Sequence, residues 1–296
     1  MEKYKFMKDF LFIDYSWVPN SRLIFNMFAE EYNCDIVDEK TLTTFNYASD
    51  YKNIVLYLHE NETIALTNEI INRYPNCKLI QHDDTDLENV QVWSTRKPDL
   101  VMQRELTKNT KNPWQCQVRA HHFPMESKND NVTNKDIDVF FMGCMTNPRR
   151  IGPVKKMVEL SENQLKHLKW ELMITEINQR TPEIYRERIN RCKIGLHCYG
   201  NSYDSHRIWE LASCGVCTIM PESPLISIDK NNNFYDKYVV CKEDFSDLQE
   251  KIEMVLKNDK WMEIGSLAQK DYEENHSPEQ CYKKYKNNII EVLGEI

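Results

Sequence analysis

Short apolar runs alternating with stretches of helical spacing recur along this chain, and the whole pattern occurs twice. In the first half, residues 10–14, 34–37, 53–58, 78–81 and 99–103 read as strands, with 116–120 as a sixth candidate. Between them, residues 21–32 place Leu23, Ile24, Met27 and Phe28 on one helical stripe. A second helix is predicted from Asn61, with Asn61 as its cap and Glu62 in its first turn, to just before Pro75. Strands apolar along their whole length, alternating with helices, specify a parallel sheet covered on both faces. The polar stretch 126–136, which holds a single Val, reads as an interdomain linker. The alternation then restarts, with strands at 137–142, 170–175, 193–199, 216–220 and 238–241 and helices at 148–167, 182–192 and 205–214. Residues 245–257, 261–275 and 277–293 are helical in pattern. The expected fold is α/β: two tandem Rossmann-like domains, 1–133 and 134–296, facing a cleft, with a helical C-terminal tail. The tyrosines and Ile289, Ile290 and Leu293 of the last helix form a packing surface suited to bracing the first domain.

Composition narrows the chemistry. A length of 296 residues suits two cores, and 41% hydrophobic content is that of a globular chain. A net charge of −8 excludes a general nucleic-acid binder with a basic face. With only 7 glycines and neither a GxGxxG nor a GxxxxGK pattern, a phosphate would have to be held by a helix terminus and side-chain cations. Among the ten cysteines, Cys198, Cys217 and Cys241 lie in apolar runs, where a thiol acts as a small hydrophobe. The run 10–13 is too short for a signal-peptide core, and no window approaches a membrane span. A reducing, cytoplasmic location is expected, with the Asn-x-Ser/Thr triplets at Asn61, Asn131 and Asn275 read as chance.

Ligands of open parallel sheets bind outside the carboxyl ends of the strands, which singles out 143–150, 175–181, 199–207 and 221–225 in the second half. In the first half the same rule selects 14–21, 59–61, 82–86 and 104–105. The segment 205–219 is the most informative of these regions. Asp204 and Ser205 are placed to cap a helix whose Ile208, Leu211 and Ala212 face the sheet and whose Gly215 occupies the C′ position. Arg207 and Glu210, at i and i+3, share the other face. An Arg inside a helix N-terminus, beside free backbone N–H groups, is suited to a diphosphate without a metal. A Glu one turn on is suited to ribose hydroxyls. The plainer alternative is an exposed intrahelical ion pair, worth a few tenths of a kcal/mol, roughly.

The run Ser205-His206-Arg207-Ile208-Trp209-Glu210-Leu211-Ala212-Ser213-Cys214-Gly215-Val216-Cys217 resembles the donor-binding motif of GT-B glycosyltransferases, in particular their exostosin-like and CgeB-like branches. Residues 138–143 with Arg149 and Arg150 are similar to the first strand and loop of the nucleotide domain in that superfamily. His82-Asp83-Asp84 and residues 97–105 are similar to the late N-terminal-domain segment. The resemblance implies a hexosyl- or pentosyltransferase moving a sugar from a UDP- or GDP-sugar to a hydroxyl of a glycan or other acceptor. No metal or other cofactor and no nucleic-acid partner is expected. It further implies that Glu210 accepts ribose hydroxyls and that Tyr199 lies beside the base. Arg207, with Arg150 or Arg149, would neutralise the leaving diphosphate, aided by Ser205, His206 and the loop at Gly143. Many retaining members carry a second Glu where this chain has Ser202, so inversion is expected.

Inversion requires a general base. Asp84 or Asp83 is the first choice, beside His82 at the end of the same strand; Asp14 is a rival, and Arg104 with Glu105 would brace that edge. Two other readings remain open. Asp84-Thr85-Asp86 has the Asp-x-Asp pattern of metal-dependent GT-A transferases, and a catalytically silent structural or carbohydrate-binding module would keep the fold alone. Cys214 and Cys217 have zinc-like spacing but no second pair. His121 and His122, adjacent in sequence, would face opposite sides of a strand, and His276 is expected to cap or pack.

Overall fold

The structure, a computed structural model, describes residues 7–14, 19–42, 44–46, 49–58, 64–122, 124–126, 134–145, 147–175, 182–226 and 236–294. It divides into two compact units, Met1–Pro124 with Pro278–Ile296, and Met125–Ser277.

The first unit is built on a six-stranded parallel sheet in the order β2-β1-β3-β4-β5-β6. Its strands are β1 (Met7–Asp14), β2 (Cys34–Asp38), β3 (Asp50–Leu58), β4 (Lys78–Asp83), β5 (Leu100–Gln103) and β6 (Gln117–Ala120), with helices α1 (Pro19–Glu31), α2 (Glu39–Leu42) and α3 (Ile64–Arg73). Successive β1 residues feed opposite faces: Phe10 and Phe12 pack with Phe25 and Phe28 of α1, Leu11 and Ile13 with Ile70 and Ile71 of α3. Burial on both faces is why 10–14 shows no polar alternation. α3 begins at Ile64; Asn61, expected to cap it, lies outside the described residues. The one-turn α2 has no apolar period to reveal it. It is set instead by Asp38, whose carboxylate accepts from the Thr41 amide at 3.0 Å.

The second unit has a five-stranded parallel sheet in the order β11-β10-β9-β7-β8. It comprises β7 (Ile137–Cys144), α4 (Ile151–Glu162), β8 (Trp170–Thr175), α5 (Pro182–Arg191), β9 (Cys192–Leu196), α6 (His206–Ser213), β10 (Cys217–Pro221), β11 (Val239–Cys241), α7 (Leu248–Leu256) and α8 (Lys260–Asn275). Val139 and Phe141 pack with Val154 and Met157 of α4, while Phe140 and Met142 pack with Ile189 of α5 and Leu211 of α6. Because β7 has β8 on one side and β9 on the other, the strand order reverses between β7 and β9, the topological switch point where such sheets bind ligands.

Several boundaries differ from the sequence pattern. The helix expected over 148–167 is a 3-10 turn, Pro148–Arg150, capped by Asn147, followed by α4, which stops before Asn163. β9 ends at Leu196 rather than at residue 199, leaving 197–200 as loop at the switch point. Of the expected linker, residues 127–133 lie outside the described set. Lys135 and Asp136 belong to the second unit, Lys135 donating to the Cys214 carbonyl at 3.1 Å and Asp136 binding Arg191 at 2.7 Å.

The last helix, α9 (Pro278–Leu293), belongs with the first unit. Cys281, Tyr285 and Ile289, spaced i, i+4 and i+8, are buried in the cluster that holds Phe10, Phe12 and Phe28. A cut at 133/134 would leave this helix with the second domain; its apolar stripe instead completes the first. Among the described residues no helix is long and apolar enough to cross a membrane.

Candidate functional site

Helix α6 starts where its sequence says it should. Ser205 has extended backbone (φ −145°, ψ 136°), and its hydroxyl accepts from the Arg207 amide at 3.3 Å. Trp209 fixes the preceding loop by donating to Asp204 at 2.9 Å, while its ring stacks on His276 at 4.2 Å. Gly215, at φ +60°, ends the helix in the left-handed region where a side chain would be strained.

The face carrying Arg207 and Glu210 is buried, at 2% and 6% exposure, and no ion pair joins the two side chains among the described residues. The Arg207 guanidinium donates to the Met142 carbonyl and lies 5.1 Å from the Phe141 ring centroid, so it reaches the end of β7. Its Nε and Nη1 are buried with no hydrogen-bond partner, as is Oε2 of Glu210. Arg150 comes to the same place from the 3-10 turn after β7 and donates to the Cys144 carbonyl at 3.0 Å. Burial, and then the charge of Arg207, lowers the Arg150 pKa from its ordinary value. The two guanidiniums therefore repel one another, and among the described residues neither has a carboxylate partner. Gly143 is closely covered: a Cβ there would stand 2.9 Å from the Phe141 ring and 3.3 Å from Nη2 of Arg207.

His197, which follows β9, is completely buried, and neither ring nitrogen has a hydrogen-bond partner. Burial, Arg207 and Arg150 together push its pKa well below the usual imidazole range, so it stays neutral. The result is a buried pair of guanidiniums with no carboxylate partner among the described residues. Burying an unpaired guanidinium costs several kcal/mol, roughly, and an anion bound by both would offset that cost. A diphosphate has the charge and oxygen count to accept from two guanidiniums at once.

The remaining predicted donor residues separate. Arg149 turns outward: its guanidinium lies 4.8 Å from the Tyr203 ring centroid and 5.2 Å from that of Tyr199, and it pairs with Glu243 at 2.9 Å. Tyr199 is buried, its hydroxyl donating to the Pro221 carbonyl at 3.0 Å. The His206 ring sits against the Met125 sulfur at 3.0 Å. Arg150, Arg207 and Gly143 thus come together beside the Ser205 cap, Glu210 lies one turn further along α6, and Arg149 and the His206 ring are set apart. His197 is not among the residues the sequence singled out; a polar residue directly after an apolar strand at a ligand edge is the signal for it.

In the first unit, β4 delivers His82, Asp83 and Asp84 to the carboxyl edge. Asp83 is buried and closes its own loop, accepting from the Thr85 amide at 3.2 Å, the Thr85 hydroxyl at 2.8 Å and the Gln91 amide at 2.8 Å. Burial raises its pKa. Asp84 accepts from the Tyr57 hydroxyl at 2.7 Å and pairs with Arg104 at 3.0 Å; Asp86 binds the same guanidinium at 2.6 Å, and Glu105 stands 3.9 Å from it. The Asp-x-Asp pair thus converges on an arginine. His82 packs edge-on between Tyr57 and His121, at 4.4 and 4.7 Å, and burial followed by Arg104 lowers its pKa to about 3. Asp14, buried at the end of β1, has the Ser21 hydroxyl at 3.3 Å and Arg22 Nε at 3.5 Å. Strand order places this unit's switch point between β1 and β3, so Asp14 ends a strand there, whereas Asp83 and Asp84 follow the next strand along. Cys217 is a buried thiol with its pKa pushed up to about 12, and no group of three or more potential metal ligands occurs among the described residues.

Residues 154–287 match the model of a family described as glycosyl transferase-like. No curated protein matches the chain in sequence. Among solved structures, a glycosyltransferase from Rickettsia africae superposes with a TM-score of 0.61 at 11% identity, covering 99% of this chain and 100% of that one. Anabaena Alr3699/HepE, solved in complex with UDP-glucose, gives 0.54 at 9% identity, covering 96% of this chain and 100% of that one. WaaG, a glycosyltransferase involved in lipopolysaccharide biosynthesis, gives 0.54 at 10% identity, with coverage of 97% and 100%. At these identities the likeness is one of fold: two parallel-sheet α/β units and a helical C-terminus, the GT-B architecture. This architecture differs from the fold of the GT-A alternative.

Proposed function

We propose that this chain is a GT-B glycosyltransferase that transfers a hexosyl or pentosyl group from a UDP- or GDP-sugar to an acceptor hydroxyl, without a metal, in the cytoplasm. The observation that carries the reading is the pair of guanidiniums, Arg150 and Arg207, held at the β7/β9 switch point with no carboxylate partner among the described residues. As the glycosidic bond breaks, negative charge grows on the leaving diphosphate, and donors fixed beforehand stabilise it without reorganising. Arg207 and Arg150 supply the positive charge that a divalent ion supplies elsewhere, joined by the amides at the Ser205 end of α6. Glu210 accepts the ribose hydroxyls, for which its unpartnered Oε2 is suited. Tyr199 borders the base. The α6 motif supports a likeness to the exostosin-like and CgeB-like branches.

Inversion follows from Ser202 standing where retaining members carry a Glu. Asp14 is the better base. It ends β1 at this unit's switch point, where parallel sheets bind ligands, whereas Asp83 and Asp84 stand at the end of the next strand along.

Calorimetric titration with UDP and GDP in the presence of EDTA tests the donor site. Binding should persist in EDTA and weaken roughly ten- to a hundredfold in Arg207→Ala, Arg150→Ala and Glu210→Ala. Wild-type affinity in all three variants would remove the site assignment. Failure to turn over any sugar nucleotide, with UDP binding intact, would favour the silent module. For the base, Asp14→Asn should keep UDP affinity and lose transfer.

A further inference from the structure

We propose that Gly200 is a positioning residue of this site: the absence of a side chain there lets the Arg150 guanidinium lie at the switch point beside Arg207. The proposal rests on the donor-site reading above and names a residue which neither the α6 motif nor the phosphate-loop patterns single out. Gly200 is buried in the loop between β9 and α6. An ideal Cβ built on it would fall 2.3 Å from Nη2 of Arg150 and 3.0 Å from its Cζ. The first is far closer than carbon and nitrogen can approach without one of them moving, and the second is tight for two carbons.

What moves is decided by what is rigid. Gly200 lies outside the positive-φ residues, so its backbone does not require glycine. The obstructing atoms are the tip of a long side chain, not backbone. An alanine there should leave the fold in place and push the guanidinium away. Arg150 has little freedom to move and keep its function, because its Nη1 bond to the Cys144 carbonyl, 3.0 Å, sets the position opposite Arg207. In a chain that lacks a glycine-rich phosphate loop, glycine thus acts at one remove, making room for a cation rather than for the phosphate itself.

A double-mutant cycle on the full chain separates this from a structural role, with UDP and inorganic pyrophosphate as probes. Gly200→Ala should weaken both ligands roughly tenfold or more, with the Tm of the free protein unchanged. Arg150→Ala should weaken them at least as much, and the double variant should bind like Arg150→Ala alone. Wild-type affinity in Gly200→Ala, or an equal loss from it in the Arg150→Ala background, would overturn the proposal while leaving the donor site standing. If Gly200→Ala alone fails to fold, recovery of folding with Arg150→Ala supports it and continued failure overturns it. If Arg150→Ala and Arg207→Ala both bind UDP normally, the donor reading has failed and this inference goes with it.

Discussion

Arg207 is 2% exposed and has no carboxylate partner among the described residues, which makes it a liability to the free protein and an asset to the liganded one. Arg207→Met replaces the charge by an apolar chain of similar reach. Replacing buried charge by packed hydrophobe is often neutral or stabilising, by about 1 kcal/mol or more. We expect Arg207→Met to unfold at the same or a higher temperature than the wild type while losing the upward shift that UDP produces. A drop of several degrees in the ligand-free melting curve would show that Arg207 serves packing instead. His82 gives a prediction with a sign. Its folded pKa of about 3 lies below the ordinary 6.5, so as pH falls below 6.5 the unfolded chain gains a proton that the folded chain refuses. Stability is thus present above about 6.5 and lost on acidification toward 3, at about 1.4 kcal/mol per pH unit. Urea unfolding of the first unit at pH 7 and pH 5 should differ less in His82→Gln than in the wild type. Equal differences would contradict this placement of His82.

At the scale of elements, α6 is positioned by glycines on both sides. A Cβ at Gly195 would lie 2.4 Å from Leu211, and one at Gly265 of α8 would lie 2.3 Å from the Gly215 carbonyl oxygen. The second obstruction is backbone and cannot swing aside, unlike the Arg150 tip facing Gly200. We therefore expect Gly265→Ala to cost roughly 1–3 kcal/mol of stability, read as a lowered urea midpoint. An unchanged midpoint would mean that α8 shifts freely against α6. The start, end and apolar face of α6 were legible because cap, stripe and terminal glycine are local signals. The burial of its polar face was not, since the Met142 carbonyl that receives Arg207 lies 65 positions away in sequence. The same holds for Asp84, which reads as a free acid until Arg104 and Tyr57 arrive from β5 and β3. Arg149 and Arg150 were indistinguishable as neighbours; only the 3-10 turn at 148–150 sends them to different surroundings.

For the molecule as a whole, the fold class was readable from alternation, whereas the membership of the last helix required the packed structure. Its stripe fits any apolar sheet face, and sequence does not say which. The second unit is continuous, Met125–Ser277, and holds every residue of the proposed donor site; the first needs both ends of the chain. This asymmetry can be tested by truncation. A chain ending at Ser277 would expose Phe10, Phe12 and Phe28, which pack with Cys281, Tyr285 and Ile289, each at most 1% exposed. Uncovering three such side chains removes several kcal/mol of burial, at about 1.5–3 kcal/mol apiece, a large share of one domain's stability. The truncated chain should lose the cooperative transition of its first unit, seen as proteolysis confined to residues before 125, while residues 125–277 resist digestion. It should still bind UDP within a few-fold of the intact chain, because Arg150, Arg207 and Glu210 all lie in the part that survives. Protection of both units would show that α9 is dispensable to the first core. Loss of UDP binding from a protected 125–277 fragment would show that the second unit does not hold the nucleotide by itself.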